Sequence, residues 1–167
     1  GESWTSNSMN TDCKMLFDIK MFNKSEGIAC AATSEDITQS NALILKTIDG
    51  GKTWQKVYQS TRPYETTWKV SFPTREVGYV TIQSYNPDPN VKQQRVAKTI
   101  DGGKTWTEIN LIEDNTAREF GIGFIDENHG FVGTMNSGFE TKDGGRSWTK
   151  IDLGIACNKI KIYKKSA

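Results

Sequence analysis

A nine-residue stretch, Lys-Thr-Ile-Asp-Gly-Gly-Lys-Thr-Trp, occurs at Lys46–Trp54 and again, letter for letter, at Lys98–Trp106. A third copy reads Thr-Lys-Asp-Gly-Gly-Arg-Ser-Trp at Thr141–Trp148. The tryptophans that close the copies are spaced by 52 and then 42 residues. Self-similarity at a period of 20 to 50 residues marks a repeat architecture, and each unit here has the length of a four-stranded propeller blade. Asp bonds its own backbone two residues on, and Gly takes positive φ without steric cost, so Asp-Gly-Gly folds the chain back between two strands. The hydroxyl of Thr53, Thr105 or Ser147 closes that turn onto a neighbouring group. Trp54, Trp106 and Trp148 then start the outgoing strands as bulky seals between units. Asp49, Asp101 and Asp143 fall in equivalent places of successive units, which makes them turn residues rather than a ligand or metal set. Gly51, Gly103 and Gly145 share that structural role.

Between the copies the chain reads as short strands separated by turn residues, with almost no helical periodicity. The fixed period favours an all-β fold of blades, each of four antiparallel strands. Three complete blades are expected, at about 15–60, 67–110 and 119–152. Partial strands at 1–8 and 158–164 read as pieces of a fourth. The start, Gly-Glu-Ser-Trp-Thr, repeats the Gly-Arg-Ser-Trp-Thr of residues 145–149, so it opens inside a repeat. The whole is one repeat domain over 1–167, expected to be part of a longer propeller or one that a partner completes. Open blade edges carry unpaired backbone groups, which points to self-association as one way of closing them.

The repeat resembles the Asp-box, or BNR repeat, of sialidase-type β-propellers, written Ser-x-Asp-x-Gly-x-Thr-Trp, with Thr47, Thr99 and Thr141 in place of the serine. Its doubled glycine and Lys-Thr-Trp ending look most like photosystem II stability/assembly factor-like proteins. That resemblance implies a non-enzymatic scaffold that binds a protein partner, in an extracytoplasmic setting. The alternative it implies is a glycan-binding or sialidase-like glycoside hydrolase propeller. A sialidase would need three arginines clamping a carboxylate and a Tyr–Glu pair. Only Arg62 and Arg118 fall on the expected ligand face, and adjacent Tyr64 and Glu65 point to opposite sides of an extended segment.

In a four-stranded blade the loop between strands two and three and the connection to the next blade share one face, opposite the Asp turns. The ligand-face candidates are therefore Arg62, Tyr64, Tyr85 and Arg118, with Asp88 and Glu113 on the same loops. Asp88, between two prolines, belongs to a stiff polar loop rather than a calcium site. His129, the lone histidine, sits in a hairpin turn as exposed decoration. Twenty-one basic against 20 acidic residues leave a net charge of +1, which argues against nucleic acid as a partner. No apolar run reaches the roughly 18 residues of a membrane span. No cofactor is expected, and the absence of a Cys-x-x-Cys pair speaks against structural zinc. Among three cysteines, Cys30 reads as a small buried hydrophobe, while Cys13 and Cys157, each nine residues after a Trp, are the one candidate disulfide.

Overall fold

The structure is a computed structural model that describes residues 3, 6–9, 11–114 and 116–163. Among the described residues, twelve strands run in chain order and form three four-stranded antiparallel sheets. Blade 1 comprises β1 (Met15–Met21), β2 (Gly27–Ala32), β3 (Ala42–Thr47) and β4 (Gln55–Gln59). Blade 2 comprises β5 (Glu65–Ser71), β6 (Gly78–Ser84), β7 (Gln93–Thr99) and β8 (Thr107–Glu113). Blade 3 comprises β9 (Glu119–Phe124), β10 (Gly130–Thr134), β11 (Gly138–Thr141) and β12 (Thr149–Ile151). Within each sheet the strands pair in sequence order, as a meander needs when every connection is a short turn. These are the blades of an open β-propeller, and the expected all-β blade architecture is what forms. Among the described residues, no helix is long and apolar enough to cross a membrane. The only helical turn among them is 3-10, Ile37–Gln39, in a loop read as irregular from sequence.

The core lies between blades. Ile28, Cys30, Ala42 and Ile44 of blade 1 meet Val80, Ile82 and Ala97 of blade 2. Tyr79, Val96 and Leu111 of blade 2 meet Ile122, Phe124, Val132 and Phe139 of blade 3. Tyr79 and Phe124 stack face to face with ring centroids 3.6 Å apart. Middle strands covered on both faces explain why β2 and β6 are continuously buried rather than alternating. A third cluster, Ala29, Ala31, Leu43, Leu45 and Trp54, lies on the other face of blade 1, with Met9 and Cys13 packed on it.

Each nine-residue repeat closes by the same bonds. Thr47 Oγ1 donates to Asp49 Oδ1 at 2.9 Å and accepts from the Gly51 amide at 2.9 Å. The Thr53 amide and hydroxyl donate to the two Asp49 oxygens at 2.9 and 2.6 Å. Thr99, Asp101, Gly103 and Thr105 repeat the set, as do Thr141, Asp143, Gly145 and Ser147. The paired glycines hold φ between 72° and 87°, a region closed to β-carbons without strain. Bonds from the Thr53 and Ser147 side chains hold the Asp49 and Asp143 carboxyls down at about 2. The Thr105 side chain lowers Asp101 in the same way.

Two expectations change at the chain's ends. Residues 159–163 form no strand and pair in no ladder; they follow a segment whose Cys157 carbonyl accepts from the Gly121 amide at 3.0 Å. No adjoining strand is there to complete a sheet with them among the described residues. Of the repeat-like start, Gly1, Glu2, Trp4 and Thr5 lie outside the described residues. The Cys13–Cys157 disulfide does not form. All three cysteines are free, because Cys13 packs on the outer face of blade 1 and Cys157 against Gly133 of blade 3.

Candidate functional site

Two ends of the sheets differ in what they carry. The Asp turns lie beside the first hairpin turn of each blade: the amides of Gly50, Gly102 and Gly144 donate to Ser25, Glu76 and Asn128 carbonyls. The other end collects the longer loops, as the sequence suggested. There Ser40 Oγ donates to the Glu65 carbonyl, Tyr85 N to the Tyr64 carbonyl and Met135 N to the Arg118 carbonyl.

Of the four ligand-face candidates, Arg62 is already engaged. Its guanidinium grips Glu65 bidentately at 2.6 and 3.0 Å and reaches Glu108 at 2.9 Å. Arg95 approaches the same two carboxylates at 3.9 and 3.3 Å, and Tyr58 donates to Glu108 at 2.5 Å. This network joins blade 1 to blade 2 and leaves no free fork for a ligand carboxylate. Tyr64 is half-buried at φ 65°, holding the connection between blades in a left-handed turn. Asp88 and Glu113 are exposed, and Asp88 closes its own turn by accepting from the Asn90 amide at 2.9 Å.

Arg118 and Tyr85 do come together. Arg118 donates to the Ser84 carbonyl at 2.8 Å and lies 5.2 Å over the Tyr85 ring. Tyr85 accepts from Trp68 Nε1 at 3.1 Å, and burial pushes its phenol pKa up. Trp68 is the residue that sequence reading passed over as an ordinary strand position. The register of β5 on β6 is interrupted between Thr67 and Val70, around Trp68. Inner strands β1 and β9 break register at the corresponding places, around Phe17 and Phe120. A bulge re-aims the side chain it carries. Three bulges therefore line up three aromatics, with Phe17 to Trp68 at 4.8 Å and Trp68 to Phe120 at 6.0 Å. All three are half-buried, and Trp68, Lys69, Phe120 and Asn158 line a cavity of about 310 Å³. The signal was present in the sequence: these aromatics recur at 51 and 52 residues, close to the repeat spacing.

Next to the row lies a buried polar patch. Glu119 is fully buried, its amide donates to Gln83 Oε1, and neither carboxyl oxygen has a hydrogen-bond partner. Burial raises its pKa well above the ordinary 4.5, with the help of the Glu65 charge. A buried acid of this kind stays neutral rather than ionise without a partner. His129 departs from its expected isolation: it lies 2.8 Å from Glu140 and tilts against Phe131.

Blades of this type, set round a common centre with loops gathered at one end, define a β-propeller. Solved structures agree. A complex described as YCF48 bound to D1 peptide superposes with a TM-score of 0.63 at 21% identity, over 85% of this chain and 40% of that one. YCF48 from Cyanidioschyzon merolae gives 0.59 at 21% identity, over 83% and 40%. The chain thus spans about 40% of the length of the structures it matches. No family model matches, and no curated protein does.

Proposed function

We propose that this chain is a non-enzymatic propeller module that binds a protein partner through the loop end of its inner strands, as an assembly scaffold. The observation that carries this reading is the row Phe17–Trp68–Phe120, three half-buried aromatics held in line by three bulges beside Tyr85 and Arg118. Aromatic and arginine side chains on a rigid frame are the usual anchors of protein interfaces. The neighbour bound to a D1 peptide supports a peptide or protein ligand for this architecture. The sialidase-like alternative loses support from Arg62, whose guanidinium is consumed by Glu65 and Glu108.

The test pans a random-peptide library against the immobilised chain and, in parallel, probes a glycan array. Peptides that bind, and that weaken roughly tenfold on Trp68→Ala, sustain the proposal. Glycans lost on the same substitution transfer the site to sugar recognition. Peptides indifferent to Trp68→Ala overturn the placement.

A further inference from the structure

In blades 2 and 3 the aromatic of the row directly follows a buried polar residue, and the two polar residues differ in chemistry. Thr67 precedes Trp68 and pairs with Ile82; Glu119 precedes Phe120 and pairs with Thr134, the same place on its sheet. Thr67 is fully buried, and its hydroxyl donates toward the carbonyls of Ala31 and Leu43 in blade 1, at 2.8 and 3.1 Å. Ile82 and Arg95 hold the places of Ala31 and Leu43 in blade 2, since Gly78 pairs with Thr99 as Gly27 pairs with Thr47. Where blade 2 offers blade 1 a hydroxyl, blade 3 offers blade 2 the carboxyl of Glu119.

Nothing around Glu119 suits a carboxylate. It is fully buried, and neither of its oxygens has a partner among the described residues. The charged groups that act on it are Glu65 of β5 and Arg95 of β7. Glu65 repels a second negative charge, and the Arg95 guanidinium is drawn to Glu108 at 3.3 Å and to Glu65 at 3.9 Å. Gln83 of β6 accepts the Glu119 amide and Thr134 of β10 pairs with it; neither carries charge. Arg118, one residue earlier, donates to the Ser84 carbonyl. The protonated acid carries a hydroxyl, as Thr67 does, whereas the carboxylate only accepts, and a buried charge without a partner is costly.

We propose that Glu119 is a positioning residue that holds Phe120 in the aromatic row as an uncharged acid, so that its ionisation frees the third ring of the row and weakens peptide capture. This rests on the row being the binding site. The row is complete on the acid side and loosens as pH rises. Phe120 lies on the bulge between Glu119 and Ile122. Beyond it the Gly121 amide is tied to the Cys157 carbonyl at 3.0 Å, so movement enters from the Glu119 side. A carboxylate that moves toward water draws the start of β9 with it and takes Phe120 from Trp68, which it meets at 6.0 Å between centroids.

The first measurement needs no ligand. The chain, carbon-13 labelled in its glutamate carboxyls and phenylalanine rings, is followed by NMR from about pH 5 to about pH 9, where buried glutamates lose their proton. Expected is a Glu119 carboxyl that titrates inside this range, with the Phe120 ring resonances moving in step. In Glu119→Gln the Phe120 ring should keep its acid-side position throughout. Glu119→Thr, which places the blade 2 residue in blade 3, should do the same and keeps the test decisive if glutamine unsettles the fold. A carboxyl already ionised at the acid limit, or still neutral at the alkaline limit, overturns the proposal. So does a Phe120 ring indifferent to the titration. The second measurement takes a library peptide that loses affinity on Trp68→Ala. Its affinity should fall roughly tenfold across the same pH range in the parent and stay level in Glu119→Gln. An equal fall in both chains overturns the control of binding by Glu119. Failure to find any such peptide overturns the binding reading itself, while the ring titration still decides the role of Glu119.

Discussion

The turn end and the loop end of the sheets solve the same problem, joining blades, in opposite ways. At the turn end the side-chain bonds inside each repeat span four residues or fewer, as from Thr47 to Asp49 or Thr53 to Asp49. The same set is made three times. At the loop end the bonds reach across the chain: Arg62 to Glu108, Tyr58 to Glu108, and Arg118 to Ser84. Those side-chain bonds differ from blade to blade. Local bonds specify a shape wherever the motif occurs, whereas long-range bonds specify which blade sits beside which.

Breaking one bond set at each end sharpens this contrast. The largest effect is expected at the loop end, where Glu65 is 2% exposed and shared by Arg62 and Arg95. Glu65→Ala should cost about 2–4 kcal/mol in urea denaturation, because it leaves cations without their partner between two blades. At the turn end, Thr99→Ala should cost about 1–3 kcal/mol, since it deprives the buried Gly103 amide of its acceptor. Loss comparable to Glu65→Ala would put the two ends on an equal footing.

The pH response separates the ends by sign. The Asp49 and Asp143 carboxyls sit near 2 in the folded chain against 3.8 when free. Their contribution is therefore fully present above pH 3.8 and is lost as pH falls toward 2. Glu119 is shifted the other way, so its burden on the fold is absent below pH 4.5 and grows as pH rises. Thermal melts of Glu119→Gln should match the parent in acid and exceed it at neutral and higher pH. A pH-independent difference would mean that Glu119 does not titrate differently in the folded chain. The smallest effect is expected for Asp88→Ala, within about 0.5 kcal/mol, because the turn it closes is exposed and touches no other blade.

The same contrast explains what could be read in advance. Asp49, Gly51, Thr53 and Trp54 announce their turn because every partner lies inside the motif. The strands around them follow from alternating or continuously apolar runs bounded by turn residues. Arg62 could be placed on the loop end, but nothing near it in the chain says that Glu108, 46 residues on, would occupy its guanidinium. Trp68 hid for a different reason. A bulge changes which face a side chain takes, and a period-two reading assumes that none occurs. The strand expected at 159–163 failed because a strand is a pairing, and apolar alternation supplies only one half of it.

Two of the three repeats are identical over nine residues, and their internal bonds are identical too. To a folding chain the segments 46–54 and 98–106 are interchangeable, so neither carries an address. Correct placement falls to the residues that differ, among them Ile28 seated on Gly103 and Arg62 clasped to Glu108. The irregular half of the molecule thus acts as the label that keeps the regular half from exchanging its parts.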